Sequence, residues 1–211
     1  LPATNVVVTN YNTLNLTSPM LPPGTLNDIT VTNADTSAST LPNGWIVNFL
    51  DVPESQQFNE WVNRLVRNEI TVGVGGGNYG VGQNTLRQQM AVFLLKAKYG
   101  LCFVPPPCTV PVFPDVPCSS SFAPWINELV AQGITTGCGG GNFCPTNAVN
   151  RQQMAVFLLK TLEGGNYTPP ACTVASFGDV PCSHSFATWI YELVARNITA
   201  GYVDETKTLR A

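Results

Sequence analysis

"RQQMAVFLLK" occupies residues 87–96 and returns letter for letter at residues 151–160. The offset that carries Arg87 onto Arg151 also brings Asp51 onto Asp115 and Asp179, Trp61 onto Trp125 and Trp189, Ile70 onto Ile134 and Ile198, and Gly73 onto Gly137 and Gly201. The chain is therefore a repeat array. Each copy opens on a turn, "FLDVP" at 49–53, "FPDVP" at 113–117 and "FGDVP" at 177–181. Apolar residues then follow at helical spacing: Phe58, Trp61, Val62, Leu65 and Val66 in the first copy, with Phe122 to Val130 and Phe186 to Val194 repeating the pattern. That spacing predicts a helix with one buried face, which places Trp61, Trp125 and Trp189 in the core. The second helix is apolar almost all round from Met90 to Leu95, so neighbours must enclose it. Met90, Phe93 and Leu94 and their counterparts Met154, Phe157 and Leu158 should line one shared core. Thr85 with Gln88, and Asn150 with Gln153, are the expected caps at its start.

Between the helices "GGGN" recurs at 75–78 and 139–142. No Lys-Ser/Thr follows it, so a tight turn explains the glycines better than a phosphate cradle. Asp51, Asp115 and Asp179 share one phase, which suits a turn hydrogen bond rather than an acid/base pair. The single histidine, His184, lies between Ser183 and Ser185 with no nucleophile in view. No catalytic residue, metal ligand or cofactor is expected, and the chain reads as a non-enzyme.

Bulk properties narrow the classes further. Charged residues make up 11% of the 211, against about 25% in an average globular protein. A net charge of −3 leaves no basic footprint for nucleic acid. No apolar run approaches the ~20 residues of a membrane span, and "LPATNVVVTN" lacks the pattern of a signal peptide.

The order "FPDVP…W…L…QGITTGCGGGNFCPTNAVNRQQMAVFLLK" resembles an S-layer homology repeat, and the resemblance covers residues 49–211. It implies helix–loop–helix repeats at 49–104 and 105–168, and a third at 169–211 that stops before its second helix. It also implies a cell-surface location and grooves that bind a cell-wall polysaccharide bearing acidic sugars. The family's polymer-contacting motif is Thr-Arg-Ala-Glu at the start of the second helix. Only its Arg is present here, as Arg87, Arg151 and Arg210. Leu86, Asn150 and Leu209 stand at the Thr, and Gln89 and Gln153 at the Glu. Sugar stacking on Trp61, Trp125 and Trp189 is the alternative to their core role.

The seven cysteines sort by the same register. Cys108 and Cys118 return as Cys172 and Cys182, while the equivalent positions one period earlier are Gly44 and Glu54. Cys138 and Cys144 correspond to Val74 and Gly80. Joint absence is what bonded pairs predict, so disulfides 108–118, 138–144 and 172–182 are expected, in an oxidising extracellular compartment. Zinc would need four ligands, and each cluster offers two sulfurs without a nearby His. Cys102, with Asn166 in its phase, is left unpaired within the chain, either free or bonded to another chain.

Residues 1–48 are of a different kind. "NVVVTN" at 5–10, "TLNLTS" at 13–18, "NDITVTNAD" at 27–35 and "GWIVNF" at 44–49 alternate apolar and polar residues as strands do. They resemble the second half of a TIG-type immunoglobulin-like domain, which implies a fragment of a β-sandwich. The expected fold class is thus mixed: a β-sandwich fragment followed by α-helical repeats with disulfide-stapled loops. The expected function is a self-assembling structural subunit of a surface layer or filament, whose partners are copies of itself or further parts of a longer chain. The alternative is a wall-polysaccharide anchor. Asn15, Asn166 and Asn197 open glycosylation sequons.

Overall fold

The computed structural model describes residues 2–10, 13–203 and 209–210, which divide into two compact units, 1–82 and 83–211. The division falls inside the first sequence repeat, after its first helix and loop.

In the first unit, β1 (Thr4–Asn10) pairs antiparallel with β2 (Thr13–Thr17), and β3 (Leu26–Thr32) with β4 (Ala38–Ile46). These are two separate two-stranded sheets rather than the expected sandwich fragment. The physical reason is in the exposure: Val6, Val7 and Val8 on β1 are all more than half exposed, so alternation there encloses no core. The β3–β4 hairpin is bulged between Asn27 and Ile29, opposite Pro42. Proline cannot donate to the ladder, and the Asn43 N–H turns instead to Asp28 Oδ1 at 2.8 Å. Leu26 and Ile46 from this hairpin pack with Phe49, Val52, Val62 and Val66, so a hairpin covers the buried face of helix α1 (Asn59–Arg67).

The second unit is helical. Helix α2 (Arg87–Tyr99) packs on α3 (Ala123–Ala131), α4 (Arg151–Glu163) on α5 (Ala187–Ala195), and α2 also meets α4. The packed pair is therefore offset from the sequence repeat: the second helix of one copy joins the first helix of the next. Ala91, Leu95, Ala123, Ile126, Leu129 and Phe143 are fully buried in the α2–α3 core, which Phe157 of α4 completes. Among the described residues no helix is long and apolar enough to cross a membrane.

Helix starts correct one expectation. Asn150 Oδ1 accepts from the Gln153 N–H at 2.9 Å and Gln153 Oε1 from the Asn150 N–H at 3.4 Å, a reciprocal cap. In α2 the cap position falls on Leu86 rather than Thr85, and its partner is Gln89 rather than Gln88. A leucine side chain has no acceptor, so only Gln89 Oε1 accepting from the Leu86 N–H, at 2.8 Å, remains. The next free N–H groups of α2 are satisfied from the following copy, Arg87 donating to Asn147 O and Gln88 to Pro145 O. At the other end, the stretch read as the start of a third such helix contains β6 (Leu209–Arg210), paired with β5 (Tyr202–Val203).

Candidate binding grooves of the repeats

Each Gly-rich loop is tied down by the recurrent aspartate. Asp51 accepts from the N–H groups of Tyr79, Gly80 and Val81 at 2.7, 2.7 and 3.2 Å. Asp115 accepts from Phe143 and Cys144 at 2.9 and 2.7 Å. Burial alone would push the Asp51 carboxyl up, but these three donors outweigh it and hold it below the usual carboxylate range. The turn itself needs glycine. Gly137 sits at φ +100°, where a Cβ would come 2.3 Å from Asn142 O, and Gly73 repeats this at φ +78° and 2.4 Å from Asn78 O. Cys138 and Cys144 then bridge the second loop, whereas the first closes with the same backbone bonds through Val74 and Asn78.

This loop carries Phe143 onto Arg87. Arg87 is 3% exposed, and its Nε donates to Phe143 O at 2.8 Å. Its guanidinium lies 4.9 Å from the Phe143 ring and 5.3 Å from that of Phe157, while Nη2 has no hydrogen-bond partner. Burial lowers its pKa from the ordinary arginine value, with the nearby Asp115 charge opposing the shift. Beside it is a cavity of about 280 Å³ that Lys160, Gln153, Thr136 and Gly137 also line. Lys160 Nζ donates to Gly133 O at 3.2 Å and stands 6.0 Å from the Trp189 ring. Sequence reasoning missed Lys160; it is the last letter of the repeated decapeptide, and only the three-dimensional meeting of α4 with the 134–138 loop marks it.

Arg151, which opens the same decapeptide as Arg87, is exposed and lies 5.6 Å from the Tyr202 ring. It lines a second groove of about 790 Å³ with Asp179 and His184. The Arg210 backbone pairs with Tyr202, and its side chain lies outside the described residues. Arg87 and Arg151 are thus not equivalent.

Nor are the tryptophans. Trp125 packs edge-on to Phe103 and Trp189 edge-on to Tyr167, both against helical cores. Phe103 and Tyr167 stand in one phase of the repeat, and one period upstream of Phe103 the residue is Ser39. Lacking the ring, Trp61 is 60% exposed with Arg64 stacked at 5.0 Å, which corrects the core placement expected for it.

His184 occupies a turn position. Its Nδ1 accepts from the Phe186 N–H at 3.2 Å, and in the same phase Ser120 Oγ accepts from Phe122 and Gln56 Oε1 from Phe58. Disulfides also join Cys108 to Cys118 and Cys172 to Cys182, and Cys102 is an exposed free thiol. A polar knot absent from the sequence reading ties α4 to α5: Arg196 bonds Glu192, Glu163 and Tyr167. The bonds from Arg196 and then Tyr167 hold the Glu192 carboxyl below its usual range. Among the described residues no three His, Cys, Asp or Glu side chains are grouped to hold a metal.

Two stretches, residues 48–91 and 112–155, match the S-layer homology domain. They span the offset just described: each runs from the aspartate turn through a first helix to the opening of a second, ending just beyond Arg87 and Arg151. A cell surface protein of Thermoanaerobacter kivui is similar, with 30% identity over 115 residues, 54% of this chain. The chain spans 15% of the length of that relative. The third copy rests on the internal register.

Proposed function

We propose that the chain is a non-enzymatic cell-surface module that holds an acidic polysaccharide of the cell wall. The surface location follows from two S-layer homology matches and a relative described as a cell surface protein. The binding reading rests on one observation: Arg87 and Lys160, from two repeats, border one cavity with the Gly137 turn, in a chain otherwise poor in cations. A carboxylate carried on a sugar would meet a buried guanidinium with an unpaired Nη2 and a lysine, the pairing that charge-assisted hydrogen bonds favour. Gln153 and Thr136 add neutral donors for hydroxyls. Arg87 is also part of the core, so Lys160 is the cleaner probe. Co-sedimentation with purified wall polysaccharide should retain the parent chain and lose most of a Lys160→Ala, Gln153→Ala variant that keeps its helical spectrum. Failure of the parent to bind, or equal binding by the variant, rejects the reading.

A second reading, assembly of copies into a layer or filament, is favoured by β1, whose Val6, Val7 and Val8 lie exposed on a two-stranded sheet with a strand edge. Sedimentation velocity tests it: a concentration-dependent oligomer dispersed by Val6→Lys with Val8→Lys supports assembly, and a monomer at all concentrations removes it.

A further inference from the structure

Among the described residues Arg87 is the only buried side chain that carries a charge. Its Nε is taken by Phe143 O at 2.8 Å, but Nη2 is enclosed and has no partner. The nearby acid does not supply one, because Asp115 turns its two carboxylate oxygens to the N–H groups of Phe143 and Cys144. A buried donor of a charged group left unpaired is costly in the folded chain, whereas water satisfies it in the unfolded one. Lys160 borders the same cavity of about 280 Å³ and spends one of its three donors on Gly133 O. Gln153 accepts from the Asn150 N–H through Oε1, which leaves its Nε2 to donate. With Asp115 counted, two cations and one anion leave a single positive charge in excess, which one monoanion balances.

The same arginine stands where α2 meets the following copy. Its backbone N–H donates to Asn147 O, its side chain holds Phe143 of the loop, and the Phe157 ring of α4 lies 5.3 Å from its guanidinium. We infer that the cavity is a site for one small carboxylate anion, held between Arg87 and Lys160, and that its occupancy locks α2 to the loop and helix of the next copy. A carboxylate offers an oxygen to each cation, which a halide does not. The inference rests on the cavity of the polysaccharide reading and adds that ligand and repeat cohesion are coupled. An anion that binds only the folded chain stabilises it by mass action, and a firmer junction in turn binds the anion more tightly.

The probe is acetate, exchanged for chloride at constant ionic strength, with the melting midpoint of the whole chain read by scanning calorimetry. About 300 mM acetate should raise the midpoint by about 3 °C or more, the shift expected of a site of about 30 mM affinity in a chain of this size. Lys160→Ala should lose most of that rise. Arg87→Gln keeps a donor for Phe143 O without the charge and should lose all of it. No rise in the parent, or an equal rise in the parent and Lys160→Ala, overturns the inference. A rise that depends on Lys160, in a chain that purified wall polysaccharide does not bind, supports the anion site and rejects the polymer reading alone.

Discussion

Replacing Phe157 by Ala and, separately, Phe93 by Ala tests whether position in the array, rather than sequence, sets what each decapeptide does. The two phenylalanines stand at the same place in two identical stretches. Phe157 is 4% exposed and belongs to the core of Met90, Leu94, Ile126 and Phe143, whereas Phe93 is half-buried at that core's margin. Truncating a fully buried phenylalanine costs about 3–5 kcal/mol. Phe157→Ala also strips one of the two rings over the Arg87 guanidinium, at 5.3 Å, worth about 0.5–2 kcal/mol when desolvated. The loss should therefore fall in the upper part of that range. Half of the burial of a phenylalanine is worth about 0.8–1.5 kcal/mol, the loss expected for Phe93→Ala. Urea unfolding followed by far-UV circular dichroism reads both, because most of the helix lies in residues 83–211. Equal losses, or a loss below about 1 kcal/mol for Phe157→Ala, would refute the offset packing.

Asp51→Asn should destabilise the first unit at neutral pH and flatten its acid dependence. A carboxyl held below its usual range contributes stability that is present above the unfolded value and lost as pH falls through the folded one, so thermal melts from pH 7 downward should converge for parent and variant. Removing the 138–144 bridge with two Cys→Ser changes should cost about 2 kcal/mol by the loop-entropy estimate, yet leave the loop's backbone bonds in place. The first copy already closes without sulfur. Non-reducing peptide mapping should find 108 with 118, 138 with 144 and 172 with 182, and Cys102 free. Gly137→Ala should cost about 1–3 kcal/mol of backbone strain and clash, measured as a fall in the urea midpoint.

The repeat, its helices and the cysteine register were legible because they depend on periodicity alone. The turns at Asp51 and Asp115 were legible too, since carboxylates recurring in one phase of a turn need N–H donors more than they need substrates. The offset was not. Sequence marks the length of the period but not its starting point, and the all-round apolar character of α2 says only that it is enclosed, not by which copy. Trp61 misled for a related reason: its helical spacing matches that of Trp125, but the ring that covers a tryptophan comes from well upstream, where Ser39 has none to offer. The hairpins of 1–48 alternate like half-buried strands, and Thr and Asn alternate with valine equally well on a sheet that no second sheet covers among the described residues. Lys160 and Arg196 were hidden because the partners that define them, Gly133 O and the Glu163 carboxylate, are distant in the chain and meet them only in the folded protein.

We propose that this module holds an acidic polymer through Arg87 and Lys160. Calorimetric titration of the whole chain with purified wall polysaccharide, before and after chemical reduction of its carboxyl groups, tests it most directly. Saturable binding to the native polymer is expected, weakening as salt is raised, with at least about a tenfold loss once the carboxylates are gone. Binding that is unchanged by carboxyl reduction would contradict it.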